Sequence, residues 1–187
     1  MNMKPLTCLA RGTAILTAAL ALNASAGSLS TGQVDFGAFS PPSSGGEFVE
    51  INVSDCLISL ATRLVEKEEP EIAQLLKGIH LVRVNVIGLD DQNRPELEKR
   101  IAGIRKDLDA KGWERLVTAR QQAQDVGIYL KTSNKDTVEG LVVLVMQGNK
   151  QAVLINVVGN IKPEQLSLLG DRLHIDELKK AGKAARK

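Results

Sequence analysis

Apolar and polar positions alternate along the chain between a strand period and a helix period. Phe48, Ile51 and Val53 predict a short first strand. Ser54 or Asp55 can cap a helix after it. In that helix Leu57, Leu60, Ala61, Leu64 and Val65 recur at helical spacing and form one apolar stripe. Charged residues at 66–71 break the stripe, and Pro70 suits the first turn of a new helix segment. Ile72, Leu75 and Leu76 resume the apolar spacing, and Gly78 can end it. Residues 79–87 are rich in valine and predict a second strand. Its alternate positions His80, Val82, Val84 and Val86 share a face, and one face of the strand is expected to be buried. A polar turn at 90–93 precedes a helix opened by Pro95, with Leu97, Ile101, Ile104 and Leu108 on one side. Lys111 and Gly112 close that helix.

Four strands then follow at 113–121, 125–132, 137–147 and 150–158. The connections are too short for parallel crossovers, so an antiparallel meander is expected. Gly148-Asn149 reads as a two-residue hairpin turn. Residues 141–146 and 152–155 are apolar on both faces. Those two strands are expected at the centre of the sheet, with helices covering one side and something less polar than water on the other. Pro163 opens a helix carrying Leu166 and Leu169, and residues 174–176 lead into a last short turn or helix. The order β-α-β-α-β-β-β-β-α predicts an α+β fold, a two-layer sandwich with a mostly antiparallel sheet and helices on one face. Residues 47–178 make a single domain, large enough to bury a core.

The ends read differently. Lys4 and Arg11 precede an uncharged, mostly apolar run at 13–22, and Ala24-Ser25-Ala26 supplies small residues at cleavage spacing. Residues 1–26 therefore read as a secretory signal peptide cut after Ala26, too short in its apolar run to span a bilayer that needs about 20 residues. Cys8 precedes that run and follows the bulky Thr7, which excludes lipidation there. Residues 27–46 hold 5 Gly, 5 Ser and 2 Pro, the composition of a flexible linker. Phe36 and Phe39 interrupt it, either as a docking motif for a partner's sheet edge or as side chains resting loosely on the domain. Residues 179–187 form a basic tail with 5 cations, read as a solvated terminus.

Composition narrows the function classes. The 187 residues are 43% hydrophobic and 25% charged, which is globular. Without Lys4 and Arg11 the chain carries 22 charges of each sign, so it lacks the basic field of a nucleic-acid binder. Cys56 is the only cysteine left after signal removal, which rules out an intramolecular disulfide. Close to a helix N-terminus it could be a reactive thiol, but its neighbours Leu57 and Ile58 favour a small buried hydrophobe. His80 and His174 belong to no paired-ligand pattern, and no metal or cofactor is implied. Serine-nucleophile and phosphate-loop motifs are missing. Arg83, Asn85, Tyr129 and Asn156 are polar groups on otherwise apolar strands. They are the candidate ligand or partner contacts, set against the ordinary outcome that buried polar groups satisfy one another.

One resemblance adds to this. Gly112-Trp113-Glu114, the run Gly140-Leu141-Val142-Val143-Leu144-Val145 and the stretch from Ala152 to Leu166 (AVLINVVGNIKPEQL) occur in that order, with Val82-Arg83-Val84-Asn85-Val86 upstream. Together they resemble the domain-of-unknown-function 4252 family of exported bacterial proteins, over roughly residues 47–178. This chain has Gly159-Asn160-Ile161 where the family often has Gly-Asp-Ile. The resemblance implies a small exported α+β domain in the bacterial envelope, and it implies no catalytic residues.

The expectation is thus an exported, non-enzymatic protein, periplasmic or secreted, that engages an unknown protein partner in the cell envelope. A homodimer through the apolar far face of the central strands is one form of this. No nucleic acid and no membrane span of the mature chain are expected. The alternative is a small-molecule binder or enzyme with a pocket between sheet and helices.

Overall fold

The computed structural model describes residues 30–121, 124–134, 137–162 and 165–172. The expected signal segment with Ala26, the opening Pro163, His174 and the basic tail lie outside the described residues. The elements run β1 (Phe48–Ser54), α1 (Asp55–Val65), α2 (Pro70–Leu76), β2 (Ile79–Gly88), α3 (Arg94–Ala110), β3 (Glu114–Gln121), β4 (Gln124–Asn134), β5 (Thr137–Gln147), β6 (Gln151–Ile161) and α4 (Leu166–Arg172). The strands form one six-stranded sheet, ordered β1-β2-β6-β5-β4-β3, with every neighbouring pair antiparallel. The α+β class and the antiparallel sheet are as the sequence implies.

The doubly apolar strands β5 and β6 take the two central positions. On one face Leu141, Val143, Ile155 and Val157 meet Ile58 of α1, Leu75 of α2 and Leu166 and Leu169 of α4. On the other, Val142, Leu144, Ala152 and Leu154 meet Leu97, Ile101, Ile104 and Leu108 of α3. The helices are therefore divided between the faces, which corrects the one-sided arrangement. The reason lies in β5 and β6 themselves, whose alternate residues are apolar in both directions, so each face needs its own cover. Each of the four α3 side chains is nearly fully buried, and each contributes about 1.5–3 kcal/mol.

α3 does not cover its face alone. Residues 30–42 lie beside it as a strap, and Phe36 is only 4% exposed within the same cluster. Arg100 of α3 stacks on Phe39, 4.8 Å from the ring centre, and donates a hydrogen bond to the Ala38 carbonyl. Composition reads this stretch as a flexible linker, yet its two phenylalanines dock on the chain's own domain. The strap supplies part of the second apolar cover that β5 and β6 require.

α1 brings a further difference. It buries Ile58 and Thr62, and the Thr62 hydroxyl donates to the Ile58 carbonyl at 2.8 Å. That bond satisfies the one polar group on the inward face. Leu57, Leu60 and Leu64 consequently turn to solvent. The β5–β6 loop is also one residue longer than expected. Gly148, Asn149 and Lys150 lie between the strands, with Gly148 at φ +49° and the Lys150 N–H donating to the Gln147 carbonyl at 2.8 Å. Among the described residues no helix is long and apolar enough to cross a membrane.

Candidate functional site

The four candidate contacts share one face of the sheet. Arg83 on β2 stands opposite Asn156 on β6, Asn156 opposite Val142 on β5, and Val142 opposite Tyr129 on β4. Directly paired residues point to the same side, so Arg83, Asn156 and Tyr129 form one row. Asn85 lies two residues from Arg83 and shares its face. This is the face covered by α3 and the strap.

Their environments differ. Asn156 is fully buried and reads the strap backbone. Its Oδ1 accepts the Val34 N–H at 2.9 Å, and its Nδ2 donates to the Gly32 carbonyl at 3.0 Å and to the Leu141 carbonyl at 3.2 Å. The strap comes this close because Gly32 crosses Gly140. A Cβ on Gly140 would sit 2.6 Å from both the Gly32 carbonyl oxygen and the Trp113 ring. Tyr129 is buried beneath Arg115, whose guanidinium lies 5.5 Å from the ring centre. Both side chains are engaged inside the domain, Asn156 by hydrogen bonds and Tyr129 by packing.

Arg83 and Asn85 are not so occupied. Among the described residues neither side chain has a hydrogen bond or ion pair, and Arg83 Nε is buried without an acceptor. Asn85 is 7% exposed. Their neighbours on β1 are Asn52, opposite Arg83, and Glu50, opposite Asn85, both exposed.

The clefts lie elsewhere. One of about 320 Å³ opens between α3 and the far end of the sheet, lined by Arg94, Glu98, Arg105, Arg120 and Asp125. Both of its carboxylates are already paired: Arg105 holds Asp125 through two bonds of 2.9 and 3.1 Å, with Arg120 3.7 Å from the same carboxylate, and Arg94 pairs with Glu98 at 2.9 Å. A second, of about 290 Å³, lies between the strap and α3 beside Phe39 and Arg100. None of the four candidate residues lines either cleft.

Cys56 is exposed on the first turn of α1, which corrects its reading as a buried hydrophobe. Its position follows from the phase of α1, which points Ile58 inward instead. His80 is exposed, with Nδ1 3.3 Å from Asp55 Oδ1. The described residues contain no group of three or more His, Cys, Asp or Glu able to hold a metal ion. Two carboxylates are shifted. Lys77 bonds Glu66 and lowers its pKa, and the Asn93 backbone N–H, with smaller help from Ser44, lowers that of Asp90. Both groups sit in turns at the surface. The large apolar groups that do stand free are Leu57, Leu60 and Leu64 on α1, with Ile51 on β1 and Leu116 on β3. The sequence signal on α1 was the i, i+3, i+7 spacing of its leucines, offset from Ile58 and Thr62.

Fold and site together define a small antiparallel α+β domain with an exposed apolar helix flank and, among the described residues, no recognisable catalytic cluster. Residues 44–169 match the model of the domain of unknown function 4252 family, and the chain belongs to that family. The strap, residues 30–42, precedes the matched segment. No curated protein and no solved structure matches the chain.

Proposed function

We propose that the protein is an exported, non-enzymatic interaction domain of the cell envelope, periplasmic or secreted, cut after Ala26 and not lipidated. The observation that carries the interaction role is the outward leucine flank of α1. Leu57, Leu60 and Leu64 are 53%, 55% and 73% exposed, on a helix whose other side is packed. Three large apolar side chains aligned on one solvent-facing flank suit a protein contact. The charged segment 1–11 and the apolar run after it support export.

Fractionation with in-cell photo-crosslinking tests this reading. A photoreactive amino acid at position 60, with one at the exposed Lys99 of α3 as control, is expected to give envelope-fraction adducts from position 60 only. A cytosolic full-length product, or no adduct from position 60, would contradict it.

A further inference from the structure

The two edges of the sheet differ in how they meet solvent. β3 exposes Leu116, but Glu114, Arg115 and Arg120 beside it and a register break between Arg115 and Val117 are the devices that block pairing at an exposed edge. β1 carries a single charge, Glu50, and no proline. Its register with β2 is unbroken from Phe48 opposite Ile87 to Ser54 opposite Leu81, so no bulge twists the edge away. Among the described residues no strand pairs with its outer side.

Three further observations fall beside this edge. Ile51, midway along β1, is 43% exposed. α1 packs on β1 and β2, and its Glu66 end is tied to Lys77 beyond α2 by a 2.7 Å ion pair. At 100° per residue the leucine flank lies opposite the flank of Thr62 and Glu66, so it faces away from α2. On the other face of the sheet, among the described residues, Arg83 has no carboxylate partner and the exposed Glu50 has no cation.

We propose that β1 pairs antiparallel with β1 of a second copy, about a two-fold axis normal to the sheet at Ile51. This deepens the interaction reading and rests on it. The segment Val49-Glu50-Ile51-Asn52-Val53 is nearly palindromic in character, apolar at 49, 51 and 53 and polar at 50 and 52. In the symmetric register Ile51 meets Ile51 of the partner subunit, Val49 meets the partner's Val53, and Glu50 meets the partner's Asn52. Within Phe48–Ser54 no like charges face each other. The axis keeps both α1 helices on one side of the joined sheet, so their leucine flanks approach across it. On the opposite side each Glu50 enters the row of the other copy's Asn52 and Arg83. Two strand spacings, about 10 Å, separate that pair, within reach of an arginine and a glutamate extended toward each other. The second copy thus supplies both the carboxylate that Arg83 lacks and the cover that Ile51 lacks.

Sedimentation velocity of residues 27–187 across about 1–100 µM, the range of an ordinary specific dimer, tests the proposal. The wild type is expected to dimerise. Ile51→Lys places two ammonium groups face to face and is expected to weaken association by at least about 100-fold, with an unchanged circular dichroism spectrum. Glu50→Lys is expected to weaken it about tenfold or more, and Glu50→Lys with Arg83→Glu to restore it. A wild type that stays monomeric, or a dimer indifferent to Ile51→Lys, would overturn the proposal. Should Arg83→Glu fail to fold, the Ile51→Lys result decides alone. A strict monomer that still gives crosslinks to another protein from position 60 overturns this dimer and leaves the interaction reading standing.

Discussion

The Asn156 carboxamide oxygen accepts the Val34 backbone N–H at 2.9 Å, across 122 positions of chain. One side chain on a central strand therefore fixes where the N-terminal strap lies. Among the described residues the strap has no backbone ladder to the sheet, so Asn156 takes the place of one. Asn156→Leu keeps the branching of the side chain, with a modest gain in volume, and removes all three hydrogen bonds, leaving the Gly32 carbonyl and Val34 N–H to find other partners. We expect a loss of roughly 2–4 kcal/mol in urea unfolding, with faster proteolysis confined to the strap.

Gly140 tests the same contact from the sheet side. Any side chain there meets the Gly32 carbonyl and the Trp113 ring at 2.6 Å. Gly140→Val is expected to cost about 1–3 kcal/mol and to displace the strap rather than the strand, since β5 is held on both sides. Trp113 is the only tryptophan and is buried, so a red shift of its emission reports the displacement.

Arg105 and Asp125 join α3 to β4 in a half-buried bidentate pair, with Arg105 14% exposed and its Nε without a partner. Asp125→Ala strands that guanidinium. The expected loss is about 1–3 kcal/mol, below that of a fully buried pair because Asp125 retains solvent contact. Exposed pairs such as Arg100 with Glu96 are expected to contribute less than about 1 kcal/mol when removed. Paired urea titrations read the contrast.

Acid acts through Asp90. Its carboxylate accepts the Asn93 N–H at 2.8 Å, the Gln92 N–H at 3.0 Å and the Ser44 hydroxyl at 3.1 Å, joining the segment just after the strap to the β2–α3 turn. Its folded-state pKa is lowered from 3.8, chiefly by the Asn93 bond. A lowered acid adds stability that is complete above 3.8 and disappears as pH falls through the lower folded value. Wild type should therefore lose more stability than Asp90→Asn between pH 5 and pH 2, roughly the span in which aspartate titrates.

Much of the architecture was legible because β5, β6 and α3 carry unambiguous periods. Leu97, Ile101, Ile104 and Leu108 fall on one side of a helix at any plausible phase, and all four are buried. α1 misled because its leucines out-number the residues it buries, and a threonine satisfied by its own helix turned inward instead. The strap was illegible for a different reason. Gly, Ser and Pro dominate its composition, whereas its placement depends on Phe36 and on Asn156, far away in sequence. Arg83, Asn85, Tyr129 and Asn156 could be picked out as polar residues on apolar strands. The sequence carries no local mark that separates Asn156 and Tyr129, which are occupied internally, from Arg83, which lies beside a free edge.

The claim that the N-terminal segment is a working layer of the domain is tested most directly by Phe36→Ala in residues 27–187, followed by urea unfolding. If the strap closes the face under α3, the substitution removes a nearly fully buried aromatic and lowers stability by about 3 kcal/mol. If the segment is a tether that merely rests on the surface, the midpoint and slope will match wild type within about 0.5 kcal/mol, and the account of this face is wrong.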